Sequence, residues 1–143
     1  MKLIIATSGA SGVNLGLKTL KLLPNTIEKH FIMSKNSHIV LDKEMQSSIT
    51  THSDKDISAS IASGSFGTDA MLIAPCSMNT LAKIACGISD NLVTRCAAVM
   101  IKEQKKLILA PREMPFSAID LENMQNLATL GVIIAPPVMA YYS

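Results

Sequence analysis

Short apolar runs alternate with segments whose apolar residues recur every three or four positions, and this alternation organises the whole chain. The runs predict strands at 2–7, 28–33, 70–74, 106–110 and 132–135. The periodic segments predict helices at 13–23, 37–46, 55–63, 78–86, 90–103 and 117–130. Strands and helices in alternation favour a parallel sheet flanked by helices over a sandwich or a bundle. Stop signals agree with these bounds: Pro24 and Asn25 close the first helix, Gly87 follows the short one, and Gly131 follows the last. The polar stretch 47–56 is expected to be a mobile loop, and the chain carries no internal repeat.

A length of 143 residues with 48% hydrophobic content suits one domain, spanning 1–143, whose core covers both faces of a sheet. No apolar run is long enough to cross a bilayer, and no leader-like pattern opens the chain, so a cytoplasmic protein with no membrane partner is expected. Three cysteines, Cys76, Cys86 and Cys96, form no Cys-x-x-Cys pair and are expected to be reduced. Their spacing, and that of His30, His38 and His52, suits no metal centre, so no metal is expected. The net charge of +2 is small and scattered, and aromatic residues make up only 3% of the chain; nucleic acid is therefore not the expected partner.

Candidate chemistry gathers where strands end. Ile5-Ala6-Thr7-Ser8-Gly9-Ala10-Ser11-Gly12 joins the first strand to the first helix, the arrangement in which helix N-terminal amides and a small-residue loop receive a phosphate. Its spacing is not Gly-x-Gly-x-x-Gly, and no acidic residue follows the next strand to hold a ribose, so a mononucleotide such as FMN suits it better than NAD. In a parallel sheet the ligand crevice lies outside the carboxyl ends of the strands. The segments there are Ser34-Lys35-Asn36-Ser37, Pro75-Cys76-Ser77-Met78-Asn79-Thr80, Pro111-Arg112-Glu113-Met114-Pro115 and Pro136 to Tyr142. Plainer readings stand beside these: Ser34 and Ser77 as helix N-caps, Arg112–Glu113 as a solvated pair, Lys102 as a helix C-terminal cation, Arg95 as a surface ion-pair partner. The convergence of hydroxyls, amides and charges on one edge is what favours a ligand site.

Taken together, the motifs resemble one family. Gly9-Ala10-Ser11-Gly12, Ser34-Lys35, Ser63-Gly64-Ser65-Phe66, Ala74-Pro75-Cys76-Ser77-Met78, Asp90-Asn91-Leu92-Val93-Thr94-Arg95, Lys102-Glu103, Arg112-Glu113-Met114-Pro115 and Ala135-Pro136-Pro137 look like the flavin prenyltransferases, in order through the whole chain. The resemblance implies a three-layer Rossmann-like (flavodoxin-like) α/β domain. It implies an enzyme that joins a dimethylallyl group from dimethylallyl phosphate to reduced FMN, at N5 and then C6. The product, prenylated FMN, would serve a partner decarboxylase in ubiquinone or aromatic acid metabolism.

By the same resemblance, Gly9, Ala10, Ser11, Ser34, Ser77, Met78, Asn79, Thr80 and Arg112 would hold the flavin. Lys102, Glu113 and Tyr142 would surround the allylic phosphate, with Arg95 and Glu44 in support, and Ser11, Glu113 and Lys102 would be the catalytic residues. A homo-oligomer, trimers assembled into a dodecamer with flavin at subunit contacts, is also implied. Two features depart from the family pattern. Asn79 stands where Lys is usual, and the family continues past the Tyr pair into a C-terminal helix carrying another basic phosphate ligand. Pro75-Cys76-Ser77-Met78-Asn79-Thr80 leans toward the flavin-dependent cysteine decarboxylases of the phosphopantothenoylcysteine type, yet residues 57–66 hold no His and 111–115 read Pro-Arg-Glu-Met-Pro, unlike those enzymes. A flavin carrier without chemistry is the remaining alternative.

Overall fold

The computed structural model describes residues 1–9, 13–33 and 47–138. Six strands form one parallel sheet: β1 (Lys2–Ala6), β2 (Glu28–Met33), β3 (Ile49–Ser53), β4 (Ala70–Cys76), β5 (Lys106–Pro111) and β6 (Ile133–Ile134). Among the described residues, four helices accompany them: α1 (Val13–Leu22), α2 (Met78–Ala85), α3 (Leu92–Lys102) and α4 (Ala118–Thr129). The strand order is β3-β2-β1-β4-β5-β6, so the chain runs outward from β1 in one direction and then returns to continue in the other. This is the doubly wound, Rossmann-like order.

Side-chain alternation along each strand divides the core in two. Ile4, Ala6, Ile32, Met71, Ile73, Leu107 and Leu109 point to one face, where they pack with Leu81 and Ile84 of α2, Val93, Cys96 and Met100 of α3, and Leu127 of α4. Ile5, Phe31 and Ile49 point to the other, against Leu20 and Leu17 of α1. Helices therefore cover both faces, as a parallel sheet requires for its apolar strands. None of the helices among the described residues is long and apolar enough to cross a membrane.

Helix ends follow local rules. Ser77, Asn91 and Ser117 cap α2, α3 and α4, and the last two form full capping boxes with Thr94 and Asp120. Gly87 and Gly131 take positive φ just past α2 and α4. The peptide bonds before Pro75 and Pro115 are cis.

Two expectations fail locally. Residues 49–53 are strand β3 instead of loop: Ile-Thr-Thr-His-Ser has a single aliphatic residue, but its β-branched threonines suit an edge strand paired to β2 alone. Residues 55–63 form turns and the 3-10 segment Ser60–Ala62 instead of an α-helix, with a second 3-10 segment at Gly64–Phe66. There Asp56 Oδ1 accepts hydrogen bonds from the Ser58 amide and hydroxyl at 3.3 and 2.7 Å, a local alternative to helical pairing. The expected helix at 37–46 lies outside the described residues.

Candidate functional site

The strand order reverses between β1 and β4, so their carboxyl ends diverge into outward-running helices and leave a crevice between them. Gly9 follows β1 there with φ of +99°, a backbone conformation that disfavours side chains. A Cβ at Gly9 would stand 3.5 Å from Cβ of Ser77, which follows β4, so a side chain would fill the space over the start of α2. Ser77 caps α2: its Oγ accepts from the Thr80 amide at 3.2 Å and donates to the Thr80 hydroxyl at 3.0 Å. The Arg112 amide, just past β5, donates to the Cys76 carbonyl at 3.3 Å, which seats the third strand end beside the second.

The rim continues into a cavity of about 550 Å³ over the ends of β5 and β6, lined by Arg112, Glu113, Met114 and Phe116 on one side and Pro136 to Val138 on the other. Prolines at 111, 115, 136 and 137 stiffen both walls. The cavity combines an apolar lining with one guanidinium and one carboxylate, and Glu113 Oε1 accepts from the Met114 amide at 3.2 Å. Such a mixture suits a planar ring with polar edges and an anionic group.

Of the sequence-derived candidates, Gly9, Ser77, Met78, Asn79, Thr80, Arg112 and Glu113 thus share the carboxyl edge. Met78 is half-buried against the core and Thr80 is buried, whereas Asn79 is exposed. Arg95 is exposed on the first turn of α3, which starts beside the end of β3, where the Leu92 amide donates to the Asp54 carbonyl at 2.7 Å. Lys102 is elsewhere. It ends α3 just before β5 begins, so it belongs to the amino edge, where it pairs with Glu103. Six residues of β5 at about 3.3 Å each put roughly 20 Å between that edge and Arg112. Ala10, Ser11, Ser34, Glu44 and Tyr142 lie outside the described residues.

Two features of the rim had no separate sequence signal. Phe116 forms part of the cavity wall although only Arg112 to Pro115 stood out as a motif. Ser8, buried directly before Gly9, accepts the Ser77 amide at 2.9 Å through its hydroxyl and donates its own amide to the Pro75 carbonyl at 3.0 Å. Cys76 is fully buried, and burial pushes its thiol up to about 12, offset in part by a hydrogen bond from Ser8. It is therefore a neutral packing group and not a nucleophile.

Comparison with known proteins shows which family the chain belongs to. The Flavoprotein family model matches residues 1–142. The flavin prenyltransferase UbiX of Campylobacter jejuni is 48% identical over the whole of this chain and 82% of its own length. The chain belongs to the UbiX flavin prenyltransferase family. Relatives of that name in Helicobacter pylori reach 47% identity at the same coverage. Among solved structures, a dodecameric FMN-dependent UbiX-like decarboxylase from Escherichia coli O157:H7 superposes with a TM-score of 0.88 at 43% identity, covering 99% of this chain and 82% of that one. AnUbiX (PadA1), in complex with FMN and dimethylallyl pyrophosphate, also gives 0.88 at 38% identity, covering 97% and 79%. A PPC decarboxylase lies further off, at 0.74 and 27% identity over 96% and 82%. The family's flavodoxin-like fold is the one described above.

Proposed function

We propose that this chain is a flavin prenyltransferase that joins a dimethylallyl group from dimethylallyl phosphate to reduced FMN. The observation that carries the reading is the crevice at the strand-order reversal, in which Gly9, Ser77 and Arg112 meet at one rim beside an apolar cavity with polar ends. The residues present fit the group: hydroxyls and helix N-terminal amides suit its phosphate and ring carbonyls, and the positive-φ glycine leaves room for close approach. Membership in the family and the FMN and dimethylallyl pyrophosphate bound to one neighbour support the same conclusion.

Reduced FMN would supply N5, whose bond to the allylic carbon replaces the donor's carbon–oxygen bond as phosphate leaves, and C6, whose bond to the far end of the group replaces the C6–H bond and the allylic double bond, that double bond taking up a proton. Protein groups act on the charge and the protons. Arg112 and the first turn of α2, with Ser34, Ala10 and Ser11, hold the flavin, while Lys102, Arg95 and Tyr142 stabilise the negative charge that collects on phosphate as it departs, with Glu44 in support. Electrostatic stabilisation by fixed cations and a phenol needs no metal ion. Glu113 takes the proton lost from C6, and Ser11 relays the one at N5. Glu113 is exposed in a single chain, so its work as a base depends on cover from ligand or a neighbouring subunit.

Lys102 sits on the opposite sheet edge from Arg112, so it reaches the phosphate of another copy and not its own. Assembly into a homo-oligomer with flavin at subunit contacts, as in trimers built into a dodecamer, satisfies that requirement. The product passes to a decarboxylase that uses prenylated FMN, within the cytoplasm. Incubation without oxygen of protein, reduced FMN and dimethylallyl phosphate tests the reading by mass spectrometry. Formation of a flavin heavier by one prenyl unit supports it. Recovery of unchanged FMN would indicate a carrier, and carbon dioxide released from a cysteinyl substrate would indicate the cysteine decarboxylase reading.

A further inference from the structure

One hydrogen bond joins two distant turns at the heart of the crevice. The Ser77 amide donates to Ser8 Oγ at 2.9 Å, and beside it Cys76 Sγ donates to the Ser77 carbonyl at 3.6 Å. Ser8 and Ser77 stand 69 residues apart. Their bond therefore ties the turn after β1 to the start of α2. Ser8 is bound on its other side as well, since its amide donates to the Pro75 carbonyl at 3.0 Å.

Each member uses its ordinary hydrogen-bonding capacity: a serine hydroxyl gives one hydrogen and accepts another, and a neutral thiol is a weak donor and acceptor. Ser8 is 8% exposed and Cys76 is 0% exposed, so water does not compete for these groups. With the Ser77 amide fastened to Ser8, the Ser77 side chain stays aimed at the Thr80 amide and the first turn of α2 keeps its direction.

We propose that Ser8 is a positioning residue: its hydroxyl holds the Ser77 amide so that Gly9 and the first turn of α2 grip one flavin together. The inference rests on the reading that these two segments hold FMN, and it adds what sets their spacing. A chain that lost this bond would keep both segments but would spend binding energy bringing them into register.

The test is FMN affinity of the full chain, followed by quenching of flavin fluorescence, with turnover measured separately. Ser8→Ala removes the acceptor and is expected to raise the FMN Kd, and the KM for FMN, about tenfold, the ratio that one lost hydrogen bond of ordinary strength produces. Turnover at saturating FMN stays within about twofold of the parent, because the group acts through the flavin's seat. Ser8→Thr keeps the oxygen and restores the affinity. Exchange of the Ser77 amide hydrogen accelerates in Ser8→Ala and returns to the parent rate in Ser8→Thr. Ser8→Cys, which fills the same space with a weaker acceptor, probes the bond should Ser8→Ala fold poorly, and it too weakens FMN binding. Parent affinity in both of these variants would overturn the inference. So would a loss that Ser8→Thr fails to reverse, or a fall in turnover with unchanged affinity. A parent protein that binds FMN yet forms no prenylated flavin would sink the prenyl-transfer reading alone.

Discussion

Replacing Gly16 by alanine reverses the usual sign of a glycine substitution inside a helix. Gly16 is the fourth residue of α1, and alanine there should add about 0.8–1 kcal/mol by helix propensity alone. Here, however, the helix crosses the ends of β1 and β4 so closely that a Cβ would stand 2.7 Å from Thr7 Cγ2 and 2.8 Å from the Ala74 carbonyl oxygen. Ordinary contact begins at 3.4 Å, so α1 must recede by about 0.6 Å from a backbone atom that cannot rotate away. Overpacking of this kind costs about 1–3 kcal/mol. The net expectation for Gly16→Ala is a loss of up to about 2 kcal/mol, a fall of several degrees in Tm for a domain of this size. Equilibrium unfolding in urea reads the change directly. Because α1 begins where the glycine turn ends, the same displacement weakens FMN binding in a fluorescence titration. Thr7→Ser removes the methyl group but not the carbonyl contact, so the double variant recovers part of the loss and not all of it. A Gly16→Ala protein with a higher urea midpoint than the parent would refute the close approach of α1 to the sheet.

Glu113→Gln and Lys102→Ala are each expected to lower prenyl transfer by about 10²–10³-fold, the cost of removing one preorganised charged group, while FMN titrates as in the parent; full activity in both would remove these role assignments. Iodoacetamide at pH 8 is expected to label Cys86, which is exposed, and to spare Cys76 and Cys96, whose thiols burial pushes up to about 12, until the protein is unfolded. Peptide mass mapping checks which thiols react. His52 is held below its ordinary range by burial first and by the neighbouring His30 second, so the unfolded chain takes up a proton there before the folded one. Its contribution is complete above about pH 6.5 and is lost as the pH falls through its lower folded value, so Tm should fall with acidification and His52→Gln should flatten that fall; an unchanged slope would contradict it.

What the residues determine by themselves is local. The caps at Ser77, Asn91 and Ser117 use bonds to groups three residues away, and the positive-φ glycines after α2 and α4 answer to their own backbone, so these helix ends are legible without a fold. The apolar strands β1, β4 and β5 announce themselves because burial on both faces demands unbroken apolar runs. The whole-chain series of motifs likewise identifies the family before any coordinate is known. β3 escapes such reading because an edge strand is paired on one side only, and its partner β2 is what makes Ile49–Ser53 a strand.

Only the tertiary structure decides who meets whom. Gly16 reads as an ordinary helical glycine until Thr7 and Ala74 are seen against it, and Ser8 reads as one member of a small-residue ligand loop until the Ser77 amide arrives from 69 residues away. Lys102 and Arg112 are ten positions apart in sequence, but β5 lies between them and carries them to opposite edges of the sheet. Local patterns specify strands and helices because neighbouring residues share one backbone path. Contacts between distant segments depend on strand order and on how closely helices settle on the sheet, and neither is written in any short stretch of chain.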